Sequence, residues 1–189
     1  MNTMENNQKL FDALIADALE KGAYKANVIQ TTDIVLDAAF RKMCASNACG
    51  VYGKCWMCPP DVGEIEVLMA EVRKYDYAFV YQTVTALEDS YDFEGMQAAK
   101  KEHYKLAQRI REAVSLNLIE NTLHLGAGGC GVCEVCSKRS NEPCRFPSLA
   151  MPSLEAYGVN VSKLAPAAGM KYINGQDTVT YFGAVLFRL

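Results

Sequence analysis

The chain has 189 residues, 50% of them hydrophobic and 22% charged, with a formal net charge of −3. That length buries a core without disulfide staples, and the composition is that of a globular protein rather than a disordered or fibrous one. The acidic balance argues against a nucleic-acid partner: positive residues cluster only in short pairs such as Arg41-Lys42, Lys100-Lys101 and Lys138-Arg139, which read as solvated faces.

The first residues, MNTMENNQKL, lack the basic and apolar stretches of a secretory signal. No apolar run approaches the roughly 20 residues that cross a bilayer. The expectation is a cytoplasmic protein with no membrane partner, one metal-binding domain over residues 1–189. Leu10, Phe11, Leu14, Ile15 and Leu19 recur at helical spacing within 6–21, and Gly22 follows as a stop. Residues 26–31 predict a short strand. Asp33 is a candidate cap for a helix through Ile34, Leu36, Phe40 and Met43 that delivers the chain to Cys44. A first cysteine loop then occupies 44–60 and ends on Pro59-Pro60.

A second short helix is predicted over 64–74 and a buried strand over 77–84. A long helix over about 92–116 carries the stripe Met96, Ala99, His103, Leu106, Ile110 and Ala113, so one face packs on a sheet. A strand over 121–125 runs into GAGGCG and a second cysteine loop over 126–147. Helical turns at 153–157 and 161–168 are capped by Ser153 and Asn160 and stopped by Gly158 and Gly169. The last strand, 178–187, is apolar enough to be central, or to lie at a dimer edge, which leaves a homo-oligomer open. Strands alternating with helices favour an α/β or α+β fold, a single mixed sheet flanked by helices and carrying two cysteine-rich metal-binding loops.

All eight cysteines fall in those loops: Cys44, Cys49, Cys55 and Cys58, then Cys130, Cys133, Cys136 and Cys144. In a reducing compartment such an even count points to metal rather than disulfides. Four thiols close the coordination of one tetrahedral zinc or one cubane. The second group, C-x2-C-x2-C-x7-C, presents three sulfurs from one compact loop. Its first spacings match bacterial ferredoxins and its last is longer, which favours a [4Fe–4S] cluster over zinc. Gly126, Gly128, Gly129 and Gly131 let the backbone wrap closely there. The first group, C-x4-C-x5-C-x2-C-P-P, holds a second cluster or zinc, and a cysteine of one group can serve the other's cluster.

The glycines also spell G-x-G-x-x-G after a strand, but they open onto cysteines and prolines rather than a helix, so no dinucleotide site is read. Of the two histidines, His103 reads as a hydrogen-bonded core residue. His124 reads as structural, with a donor role behind the cluster as the alternative. Lys54, Lys138, Arg139 and Arg145 flank the thiols and either offset cluster charge or face solvent. Glu155 reads as support for a helix start.

The segments GVYGKCWMCPPDVG at 50–63 and CGVCEVCSKRSNEPCRFPSLAMPSLEAYGVNVSKL at 130–164 resemble a family of predicted metal-binding proteins of unknown function, found mainly in anaerobic bacteria and archaea. The resemblance rests on C-P-P, C-x2-C-x2-C-x7-C-R-F-P and P-S-x-E-A-x-G-[IV]-[DN]-V. It implies cluster binding by the matching cysteines and supplies no reaction. Asn160 stands where aspartate is common, a change that a capping role tolerates. The expectation is a cytosolic iron–sulfur protein of an anaerobe, with one or two [4Fe–4S] clusters, passing electrons to a redox partner protein. The alternatives are a zinc-stabilised binding module and an iron–sulfur enzyme with an open iron.

Overall fold

A computed structural model describes residues 3–116 and 121–189; the first two residues of the segment read for a signal lie outside them. The chain forms α1 (Thr3–Glu20), β1 (Lys25–Gln30), α2 (Ala39–Ala45), α3 (Ile65–Val72), β2 (Tyr77–Ala86), α4 (Phe93–Leu116), β3 (Leu123–Leu125), α5 (Val161–Ala167) and β4 (Thr178–Phe187). Short 3₁₀ turns occupy Thr31–Asp33, Ser137–Ser140 and Glu155–Tyr157. Among the described residues no helix is long and apolar enough to cross a membrane.

One four-stranded sheet, ordered β1-β2-β4-β3, organises these elements, and every pairing in it is antiparallel. The apolar 178–187 strand is central as expected, since β4 lies between β2 and β3. β3 holds three paired residues at the edge, fewer than the 121–125 expected, because Asn121 has left-handed backbone (φ 52°).

Side-chain alternation divides the core into two layers. Phe79, Tyr81, Val185 and Phe187 face α1 and α4, meeting Leu14, Ala18, Leu106, Ile110 and Val114. Ala78, Val80, Phe182, Ala184 and Leu186 face the opposite way, onto Leu68, Val72, Leu154, Val159 and Leu164. Helices therefore cover both faces, and the period-2 pattern is apolar on both sides of β2 and β4 rather than on one.

Two caps follow the sequence closely. Ser153 Oγ accepts the Ala156 N–H at 3.1 Å, and Asn160 Oδ1 accepts the Lys163 N–H at 3.2 Å. The cap of the second helix does not. Asp37, rather than Asp33, accepts the Ala39 N–H at 2.8 Å, and the helix begins five residues later than the Ile34 start expected. The reason is tertiary: Leu36 bridges Val159, the Asp37 N–H donates to Gly158 O at 2.7 Å, and the Asn160 N–H donates to Val35 O at 2.9 Å. Residues 35–37 are thus held extended by a segment about 120 positions away.

Gly183 is required by a close approach. Opposite Tyr81 in the register, a Cβ there would lie 2.3 Å from the phenol ring and its oxygen. Gly183→Val is expected to cost at least about 2 kcal/mol through this overpacking, read as a lowered guanidinium midpoint with unchanged slope.

Candidate metal centre

The first cysteine loop leaves α2 and folds on itself through short-range bonds. The Cys58 N–H donates to Cys55 O at 3.0 Å, the Val62 N–H to Cys58 O at 3.1 Å, and the Gly53 N–H to Pro59 O at 2.9 Å. Gly53, at φ 66°, permits the turn that brings the chain back. Cys55 and Cys58 are buried, at 4% and 7% exposure, Cys44 is half-buried, and Cys49 is exposed.

The second loop is an excursion from the sheet edge, closed at its neck. The Gly126 N–H donates to Pro152 O at 2.8 Å, the Leu154 N–H donates back to Gly126 O at 2.9 Å, and Gly126 bridges Ser153 in parallel. A second stripe of α4 lies along it. Tyr104 Oη approaches Cys130 Sγ at 3.4 Å, Gln108 donates to Leu149 O at 3.0 Å, and Arg111 Nη1 donates to Ser148 O. These positions are spaced four and three apart on one helix face. The helix that packs the sheet therefore also holds the loop. As the sequence indicated, Gly126, Gly128 and Gly131 open onto this loop, not onto a helix.

The two loops form one assembly. Trp56 Nε1 donates to Glu142 O at 2.9 Å, Lys138 pairs with Asp61, and the Lys138 ammonium sits 4.2 Å over the Trp56 ring. A Cβ at Gly129 would meet Val51 at 3.3 Å and Cys58 Sγ at 3.5 Å. Cys55 reaches into the second group: it lines one small cavity together with Cys130, Cys133, Cys136 and Cys144. Cys44, Cys49 and Cys58 lie within electrostatic range of one another on the first-loop side.

The electrostatics separate two neighbouring thiols. A hydrogen bond from Cys58 draws the Cys55 pKa down to about 6, against the opposing effect of burial; the backbone N–H groups of Met57 and Cys130 and the Cys136 thiol add to the lowering. The same bond, with burial, pushes Cys58 up, so Cys58 keeps the proton that Cys55 accepts. Burial raises Cys44 against the lowering effect of Arg41.

Arg41 is the residue that sequence reasoning misplaced. Its pair with Lys42 reads as a solvated face, yet its Nε and Nη2 are inaccessible to solvent and have no hydrogen-bond partner. The available signal was its position three residues before Cys44 on one helix, which shares a face with the thiol. Of the expected flanking cations, Lys138 is committed to Asp61 and Trp56, Arg145 donates to Val135 O, and Lys54 and Arg139 are exposed.

The histidines serve the core. His103 Nδ1 bonds Thr83 Oγ1 at 2.9 Å, and His124 Nε2 bonds Tyr81 Oη at 2.7 Å. Glu155 lies in the turn after Ser153, its carboxyl pKa raised chiefly by burial.

Among the described residues, no group of three or more His, Cys, Asp or Glu side chains is positioned to hold a single metal ion in this conformation. The donor set nonetheless fits a thiolate-bound metal or cluster. Its eight cysteines are free, one is already biased towards thiolate, and a guanidinium with two buried, unpartnered nitrogens stands beside Cys44 to meet negative charge.

Fold and site together define a class: an α/β layer protein with two interlocked thiol-bearing loops at one end of its sheet. Within that class the sequence is specific. Residues 27–187 match the family described as predicted metal-binding protein (DUF2284), and the chain belongs to it. Comparison with curated proteins and with solved structures returns no match.

Proposed function

We propose that this is an iron–sulfur protein that carries or couples electrons in the cytoplasm, passing them to a redox partner protein. The observation that supports it is the cavity lined by Cys55, Cys130, Cys133, Cys136 and Cys144. Five thiols around one small space, three of them from a C-x2-C-x2-C run, suit the separate irons of a cubane better than the four positions of zinc. Cys130, Cys133, Cys136 and Cys144 would hold one [4Fe–4S] cluster, with Cys55 beside them at the same cavity. Cys44, Cys49, Cys58 and Cys55 would hold a second cluster or a zinc. A bound cluster supplies one-electron chemistry.

The protein's own contributions are electrostatic and steric. Met57 and Cys130 N–H groups stabilise sulfur charge at Cys55, and the Tyr104 hydroxyl does so at Cys130. Arg41 offsets charge at Cys44, and the Lys138–Trp56 stack covers the seam between loops. A second reading, an iron–sulfur enzyme with an open iron, is favoured by a larger cavity of about 480 Å³ that shares Trp56, Met57 and Ala150 with the thiol cavity. Purification without oxygen, followed by iron, acid-labile sulfide and zinc analysis and EPR after dithionite reduction, is expected to give iron and sulfide in equal amounts and a reduced-cluster signal. Stoichiometric zinc without sulfide would overturn the proposal. A signal altered by small molecules would move the reading to the enzyme.

A further inference from the structure

The 480 Å³ cavity lies between the first cysteine loop, α4, the β3 edge and the neck of the second loop. Its volume is within the roughly 300–1,000 Å³ of small-molecule sites. Trp56, Val62, Leu123 and Pro152 give it apolar walls, and Arg111, His124 and Asp61 are polar groups on those walls.

Arg111 is the first. Its Nη1 donates to Ser148 O and its Nη2 to Ala150 O at 3.4 Å, which anchors the guanidinium and commits two of its five N–H donors. Ion pairs among the described residues join Lys21 to Asp17, Lys105 to Glu102 and Lys138 to Asp61, and none includes Arg111. Its charge therefore meets no carboxylate there.

His124 is the second. It is 7% exposed, and Nε2 is taken by Tyr81 Oη. Tyr81 is wholly buried, and burial raises its pKa, so the phenol keeps its proton and is able to donate it to Nε2. The ring is neutral, held so by burial and by the nearby Arg111 charge. In the tautomer in which Tyr81 donates to Nε2, the ring proton sits on Nδ1, which is buried and has no partner. Asp61 is the third: Oδ1 meets Lys138, and Oδ2 is buried without a partner.

We infer that this cavity binds a short carboxylic acid carrying a hydroxyl or ammonium donor beside the carboxylate. Arg111 and the His124 Nδ1–H receive the carboxylate, and Asp61 Oδ2 accepts from the neighbouring donor. That arrangement gives partners to the two atoms that are buried and unpaired, His124 Nδ1 and Asp61 Oδ2, and a counter-charge to Arg111. A dianion such as phosphate meets Asp61 with like charge. A plain carboxylate leaves Oδ2 unpaired. The inference goes beyond the electron-transfer reading and needs no metal for the binding itself.

Calorimetric titration of the full-length protein with lactate, alanine, propionate and inorganic phosphate tests it. Lactate or alanine is expected to bind at least tenfold tighter than propionate or phosphate, and the better of the two identifies the donor as hydroxyl or ammonium. Arg111→Gln is expected to weaken that ligand at least tenfold, and Arg111→Lys to recover part of it. Asp61→Asn should narrow the preference over propionate. Circular dichroism and thermal melts select the folded variants for comparison. Absence of binding by all four probes, equal binding of propionate and lactate, or an unchanged affinity in both folded Arg111 variants would each overturn the inference. Iron and sulfide content, measured on the same samples, reports separately on the cluster proposal.

Discussion

Cys55→Ser is expected to lower both iron and acid-labile sulfide by more than half, whereas Cys133→Ser removes about half and spares the other group. The difference follows from position. Cys133 belongs to the second loop and lines its cavity. Cys55 belongs to the first loop, lies beside Cys58, and reaches Cys136 and the Cys130 N–H of the second. Its side chain is 4% exposed, so serine there leaves a smaller, far less acidic hydroxyl among sulfurs with no solvent to compensate. Metal analysis and EPR on anaerobically purified variants measure the loss. Equal losses in the two variants, with both folded by circular dichroism, would show that the ligand sets stay within their own loops.

The second large effect is acid sensitivity set by the two core histidines. Burial lowers His103 to about 4 and His124 to about 3, from an ordinary value near 6.5; nearby Arg111 and His103 charges add to the lowering at His124. Below about pH 6.5 the unfolded chain takes up protons that the folded chain refuses until about pH 4 and about pH 3. The unfolded state then binds more protons, so stability falls as pH falls. With both groups contributing, the slope between pH 6 and 5 is expected to be on the order of 2–3 kcal/mol per pH unit. Guanidinium midpoints at pH 7, 6 and 5 measure it. His103→Gln should roughly halve the slope while the thiols, common to both proteins, contribute equally. A slope unchanged by that substitution would place the acid sensitivity elsewhere.

Much of the fold was legible because its signals are local. The stripe from Met96 to Ala113 is a period-3.6 pattern, and α4 packs by it. The apolar run 178–187 read as a central strand, with a dimer edge as the alternative, and it lies between β2 and β3. Ser153 and Asn160 cap as their chemistry demands. Asp33 failed as a cap because the pairing of Leu36 with Val159 holds 35–37 extended, a restraint that no neighbouring residue announces. Arg41 looked like surface for the same reason: a basic pair is solvated unless another part of the chain arrives to cover it.

By itself the sequence determined most of the elements, the caps at Ser153 and Asn160, the family and the division of eight thiols into two groups of four. Those depend on residue type and spacing over a few positions. Only the tertiary structure decided that the groups touch, that Cys55 stands between them, and that α4 braces the second loop through Tyr104, Gln108 and Arg111. It also decided that Arg111, His124 and Asp61 share a cavity. Each of these brings together residues dozens of positions apart, and such contacts are set by how helices and loops close over the two faces and one end of the sheet, which no local spacing encodes.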